Sequence, residues 1–306
     1  MIPEAPESPS ASVSRIESLA IRELTPCGAG SMVWRVWGSG RPLILLHGAS
    51  GSWTHWIRNI VPLARSFRVI APDMPGFGDS DTPPEPHTAD VLADLLACGL
   101  NTLVPPPMEF DMAGFSFGGI IAGLVAARLE YRVRTLVLLG AGGLGLGSAP
   151  PLQLLQPRPD MTRADLERVH GENLRILMIA DPRKVDELAV FLQIENIRRA
   201  RFKSGTIPAS GILLHALPAI RARIAGISGS YDAIMGPRLD AYRRVLASAQ
   251  PDLDLRVVAG AGHWVTYEAA EEVTALLQDI LANPRLPNMS LCSRSCPRAL
   301  PRVRRA

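Results

Sequence analysis

A chain of 306 residues that is 47% hydrophobic can bury a sizeable core, and suits one large α/β domain or such a domain carrying an insertion. A net charge of +3, with Lys and Arg scattered through most of the chain except its end, does not suggest a nucleic-acid binder. Four cysteines are too few for a disulfide framework, no run of about 20 apolar residues is present to span a membrane, and the first residues lack a signal-peptide pattern, so a reduced, cytoplasmic setting is expected.

Residues 1–15, rich in Pro, Ser and Glu, are predicted to be a disordered leader. Segments 19–24 and 31–37 alternate about the glycines at 28 and 30, which predicts an antiparallel hairpin. Residues 42–46 are continuously apolar, the mark of a strand buried on both faces, and they stop at His47-Gly48-Ala49. A helix is expected over 53–64, a strand over 67–71, and an amphipathic helix over 87–103. A strand then leads into Gly114-Phe115-Ser116-Phe117-Gly118, followed by a helical pattern, and 133–139 forms another buried strand. From about residue 142 the strand–helix alternation breaks, and 162–170, 172–179 and 182–203 all read as helices, the last opened by Asp181-Pro182 as N-cap and N1. The alternation resumes with strands at 223–228 and 253–258 and helices at 238–249 and 266–281. Beyond these, Arg285, Arg294, Arg298, Arg302, Arg304 and Arg305 lie in a Pro-containing segment without acidic residues, predicted to be a disordered basic tail over 284–306. The Cys292–Cys296 pair there lacks neighbours that would make it a metal or redox site. Together these elements predict an α/β fold: a mostly parallel, eight-stranded-type sheet with helices on both faces, a core over 16–141 and 216–283, and a helical lid over 142–215.

Gly-x-Ser-x-Gly between a strand and a helix is the context of a nucleophile elbow, in which small neighbours let a sharp turn lift the serine hydroxyl clear of the sheet. Serine is a poor nucleophile at neutral pH and needs a base, which in turn needs an orienting acid. Asp232 and His263 each follow a strand, on turns of small residues, in the order serine, acid, histidine. Alone, Asp232 would read as a turn former and His263 as a structural histidine; in sequence behind Ser116 they read as a triad. The oxyanion of such chemistry calls for two backbone N–H groups, expected from Phe117 and Ala49. His47, Gly48, Phe115 and Trp264 flank these positions and are taken as substrate-binding, although packing is the commoner role for such a tryptophan. Asp73 and Asp79 are expected to stabilise their turn.

His47-Gly48, the Asp-x-Pro-Gly-Phe-Gly-x-Ser loop at 73–80, Gly-Phe-Ser-Phe-Gly-Gly, and the Asp232 and Gly262-His263 turns together resemble the α/β-hydrolase superfamily, over about residues 19–281. The resemblance implies Ser116 as nucleophile, His263 as base and Asp232 as acid, and a serine here differs from the aspartate of haloalkane dehalogenases and epoxide hydrolases. Gly262-His263-Trp264 with Glu268, and the placing of the lid, are similar to the meta-cleavage C–C bond hydrolases of aromatic catabolism. Those enzymes carry Asn before the serine, where this chain has Phe115, and use a lid arginine, for which Arg198 and Arg199 are candidates. The expected activity is therefore hydrolysis of a small acyl substrate, an ester or the C–C bond of a ketone, with C–C hydrolysis of ring-fission products and non-catalytic ligand binding as alternatives. Such chemistry needs neither metal nor organic cofactor. The expected partner is a small-molecule substrate, not nucleic acid or membrane, and the sequence is compatible with a homo-oligomer.

Overall fold

The computed structural model describes residues 7–147 and 151–282. Its centre is one eight-stranded sheet in the order β1-β2-β4-β3-β5-β6-β7-β8. The strands are β1 (Ile21–Cys27), β2 (Gly30–Trp37), β3 (Arg41–Leu46), β4 (Phe67–Pro72), β5 (Phe110–Phe115), β6 (Val133–Leu139), β7 (Arg223–Gly229) and β8 (Asp254–Val258). β2 runs antiparallel to β1 and β4, and every other pairing is parallel. The hairpin and the parallel core are those expected from the alternating and continuous apolar runs.

Alternation within β3 shows how the sheet feeds two cores. Ile44 and Leu46 join one apolar cluster with α3 (Ala89–Leu103) and α4 (Phe117–Leu129), while Leu43 and Leu45 join the other, with α2 (Ile60–Leu63), α9 (Val265–Glu268) and α10 (Ala270–Ala282). α4 is buried at every position from Phe117 to Ala126, so it has no solvent face along that stretch. β5 also holds a fully buried carboxylate at its amino end: Asp111 is bound by Arg41 Nε and Arg134 Nη2, each at 2.7 Å.

Between β6 and β7 lie α5 (Arg163–Leu177), α6 (Glu187–Arg199) and the short α7 (Ile212–Ala216); α8 (Leu239–Ala249) follows β7. The insertion is thus helical as expected, with differences in detail. The two helices expected over 162–179 are one, because Gly171 is buried facing Val190 of α6 and does not break it. The helix expected from Pro182 starts at Glu187 under the Asp186 cap, and Asp181-Pro182 opens only a single 3₁₀ turn. The helix expected over 53–64 is split into a 3₁₀ turn, Trp53–Trp56, and α2, and that over 266–281 into α9 and α10.

At the N-terminus the disorder expected over 1–15 is corrected in part: α1 (Pro9–Glu17) is a capped helix, its Ile16 buried and its Glu17 bound to the buried Arg35. The expectation missed it because a nine-residue polar helix has little periodicity to read, and its order comes from those tertiary contacts. The basic tail and its two cysteines lie outside the described residues. Among the described residues no helix is long and apolar enough to cross a membrane.

Candidate active site

β4 and β5 lie on opposite sides of β3, so the chain changes direction across the sheet at the carboxyl ends of β3 and β5, where open α/β sheets form their binding crevice. Ser116 stands there, between β5 and α4, at φ 52° and ψ −117°. A non-glycine residue in this region is strained and is held only by its surroundings. Two hold it here: Ser116 N–H donates to Leu139 O at 2.7 Å, and the flanking glycines admit backbone at very short range. A Cβ on Gly114 would lie 2.5 Å from Gly118 O, and one on Gly118 would lie 2.3 Å from His47 O. The second approach also locks the start of α4 against the turn that leaves β3.

The three side chains expected to cooperate do meet. His263 Nε2 lies 2.9 Å from Ser116 Oγ, and His263 Nδ1 lies 2.8 Å from Asp232 Oδ2. Asp232 is buried, and its other oxygen accepts from Ile234 N–H and Met235 N–H, both at 2.8 Å. Burial alone would raise this carboxyl, but the facing His263 and the two backbone donors outweigh it and hold it below its ordinary value. An ionised Asp232 accepts a hydrogen bond from His263 Nδ1–H, which keeps that proton on Nδ1 and leaves Nε2 free to receive the serine proton.

Above the serine is a cavity of about 290 Å³, floored by Ala49, Phe115 and Phe117 and walled by Leu177, Met178 and Pro208 of the insertion. Ala49 and Phe117 both reach it, as the two expected oxyanion donors must, and Phe117 opens a 13-residue helix whose N-terminal dipole favours negative charge. Gly48 and Phe115 line it too.

Two residues taken as substrate-binding do not reach this cavity. His47 is fully buried, its Nε2 accepting from Met74 N–H at 2.9 Å and its Nδ1 donating to Gly48 O at 2.8 Å. Burial pushes its imidazole down, so it is a neutral staple between two turns. Trp264 is also fully buried, stacked on Tyr267 and donating from Nε1 to His55 O at 3.0 Å. Both sit beside the site in the chain but point into the core. Arg198 and Arg199 are spent on Glu195 and Asp79 and do not line the cavity. Asp73 receives Trp53 N–H, Asp79 N–H and Arg35, the turn-stabilising role expected of it.

Two contributors had no signature in the sequence, and a third, Glu268, had one only in its place after the histidine. His55 and Arg238 line the cavity, Arg238 bonding to Ile234 O and Gly147 O. Glu268, buried, accepts from Gly262 N–H at 2.7 Å, Ala180 N–H at 3.0 Å and Asp181 N–H at 2.7 Å, tying the His263 turn to the insertion. Its position after the histidine was legible, but its partners were not.

The sequence profile of the alpha/beta hydrolase family matches residues 43–276. The chain is 30% identical over 261 residues to 2-hydroxymuconate semialdehyde hydrolase of Pseudomonas sp. (strain CF600), covering 80% of this chain and 88% of that one. It is 30% identical over 268 residues to 2-hydroxy-6-oxo-6-phenylhexa-2,4-dienoate hydrolase of Burkholderia cepacia, covering 80% and 89%. Among solved structures, esterase RhEst1 from Rhodococcus sp. ECU1013 superposes with a TM-score of 0.71 at 19% identity, over 87% of this chain and 99% of that one, a likeness of fold.

Proposed function

Since this chain belongs to the alpha/beta hydrolase family, we propose that it is a serine hydrolase that cleaves a small acyl substrate through Ser116, His263 and Asp232. The observation that carries the reading is the unbroken relay from Ser116 Oγ through both nitrogens of His263 to a buried carboxylate, at 2.9 and 2.8 Å. Ser116 attacks the substrate carbonyl as His263 Nε2 takes its proton. The oxyanion that forms is met by the N–H groups of Ala49 and Phe117, where fixed donors stabilise charge as it develops. His263 then returns the proton to the leaving group, and an acyl group remains on Ser116. Water, deprotonated by the same nitrogen, releases the acid. The helical insertion serves as a lid, its Leu177, Met178 and Pro208 helping to exclude bulk water from the cavity.

The apolar floor of Phe115 and Phe117, the absence of Arg198 and Arg199 from the cavity, and the engagement of the cavity's Arg238 with the backbone carbonyls of Ile234 and Gly147 favour a neutral ester over a dianionic ring-fission product. The identity with the two C–C hydrolases favours a second reading, cleavage of a vinylogous diketone by the same triad. Fluorophosphonate labelling tests the nucleophile: wild type should be labelled and Ser116→Ala should not, with turnover of p-nitrophenyl esters falling by at least about 10⁴-fold. Equal ester turnover by the two proteins refutes the assignment. Turnover of a ring-fission diketone without ester turnover would select the second reading.

A further inference from the structure

The cavity is apolar except for a few groups. Among the described residues that line it, Ser116, His263, His55 and Arg238 carry the nitrogen or oxygen atoms of side chains. Ser116 and His263 are bonded to each other, and the Arg238 guanidinium is bonded to backbone carbonyls. His55 is different. It is 2% exposed, and its Nδ1 accepts from Gly48 N–H at 3.1 Å. That bond fixes the tautomer, since a nitrogen that accepts carries no proton in a neutral ring, and so places the hydrogen on Nε2. Among the described residues Nε2–H has no acceptor in the protein, and Nε2 is not one of the fully enclosed atoms left without a partner, so it keeps open surface in a ring that lines the cavity. The ring is held between Phe115, at 5.5 Å between centroids, and Trp264, at 5.0 Å, so it cannot turn away to find one. It also stays uncharged: burial, then the neighbouring His47 and His263, push its pKa well below the ordinary value.

We infer that His55 is a specificity-determining residue whose Nε2–H binds an oxygen acceptor (a carbonyl, ether or hydroxyl oxygen) carried by the substrate near the carbonyl that Ser116 attacks. A cavity donor with no protein partner discriminates once substrate fills the cavity and expels water, because a substrate lacking the acceptor then leaves it unpaired. The inference rests on the serine-hydrolase reading and narrows its substrates from plain hydrocarbon acyl groups to oxygenated ones.

The test uses p-nitrophenyl methoxyacetate and p-nitrophenyl butyrate, whose acyl chains differ by one oxygen in place of one methylene. The readout is the ratio of their kcat/KM values, each divided by the rate of alkaline hydrolysis. In His55→Asn the amide oxygen replaces Nδ1 as acceptor for Gly48 N–H, but no atom occupies the place of Nε2. Its ratio should fall roughly threefold to tenfold, the range one neutral hydrogen bond supports. His55→Gln, whose amide nitrogen reaches that place, should keep the ratio within about twofold of wild type. Damage to folding or to the Gly48 turn lowers both rates together and leaves the ratio alone. An unchanged ratio in His55→Asn overturns the inference. Turnover of neither ester by wild type also overturns it, and fluorophosphonate labelling of Ser116 then shows whether the serine-hydrolase reading survives.

Discussion

Replacing Asp232 by Asn should cost on the order of 10⁴-fold in kcat, or about 5 kcal/mol of transition-state stabilisation at roughly 1.36 kcal/mol per decade. The structure dictates why so small a change is so damaging. One Asp232 oxygen accepts from both Ile234 N–H and Met235 N–H, each at 2.8 Å. An asparagine must keep its carbonyl oxygen on that side, because turning the amide over would set NH₂ against two buried donors at a penalty of about 1–3 kcal/mol for each. The NH₂ group therefore faces His263 Nδ1, 2.8 Å from the oxygen it replaces. Nδ1 becomes an acceptor, the imidazole proton moves to Nε2, and Nε2 can no longer take the proton of Ser116. The assay is single-turnover acylation with an activated ester from pH 6 to 10, alongside thermal unfolding. The variant should stay folded, lose activity near neutrality, and recover part of it as hydroxide rises. A rate within tenfold of wild type at pH 7, in a folded variant, would refute the relay.

Three other substitutions and one titration probe the scaffold. Glu268→Ala leaves the buried Gly262 N–H and the half-buried Ala180 and Asp181 N–H groups without their acceptor and should destabilise the fold by about 2–3 kcal/mol, read by urea unfolding, with kcat falling as the His263 turn loosens. Gly118→Ala places a Cβ 2.3 Å from His47 O and should give an inactive, poorly soluble protein, seen in the soluble fraction and by fluorophosphonate labelling. Asp111→Ala leaves Arg41 and Arg134 facing a vacated buried position and should cost roughly 3 kcal/mol, measured as a lower urea midpoint with labelling of Ser116 retained. Because the Asp232 pKa lies below its ordinary 3.8, its ionised form stabilises the native state fully above that pH, and the contribution fades as pH falls through the native pKa. Acid unfolding of Asp232→Asn should therefore be less steep than that of wild type over this range.

The strands of the parallel core and the triad were legible because each rests on short-range rules. Continuous apolar runs at 42–46 and 133–139 admit few readings, and the groups that follow β5, β7 and β8 stand on turns that only small residues can form. What escaped was set by partners distant in the chain. Asp111 breaks an otherwise apolar strand, and Arg41 and Arg134, 70 and 23 residues away, are what make it tolerable. The break in the segment 53–64 depends on Asn59 reaching Ala270 O and Thr274 Oγ1, and on Ser52 capping a short turn. His47 and Trp264 were misplaced because proximity in sequence to a reactive group does not fix which way a side chain points. His55 could not be ranked above the other histidines, since its meaning lies in which of two nitrogens faces the Gly48 turn.

The interior position of α4 from Phe117 to Ala126 has a consequence for how this scaffold can diversify. A helix enclosed on every side has no spare surface on which variation can accumulate, so the segment that carries the nucleophile is frozen in composition as well as in place. The opposite wall belongs to a separate excursion of the chain, where Leu177 is only partly buried and Pro208 is exposed, so both can change size more freely than the residues of α4. Randomised libraries confined to 177 and 205–209 should yield many folded proteins with altered preferences, whereas libraries across 117–126 should yield mainly aggregates.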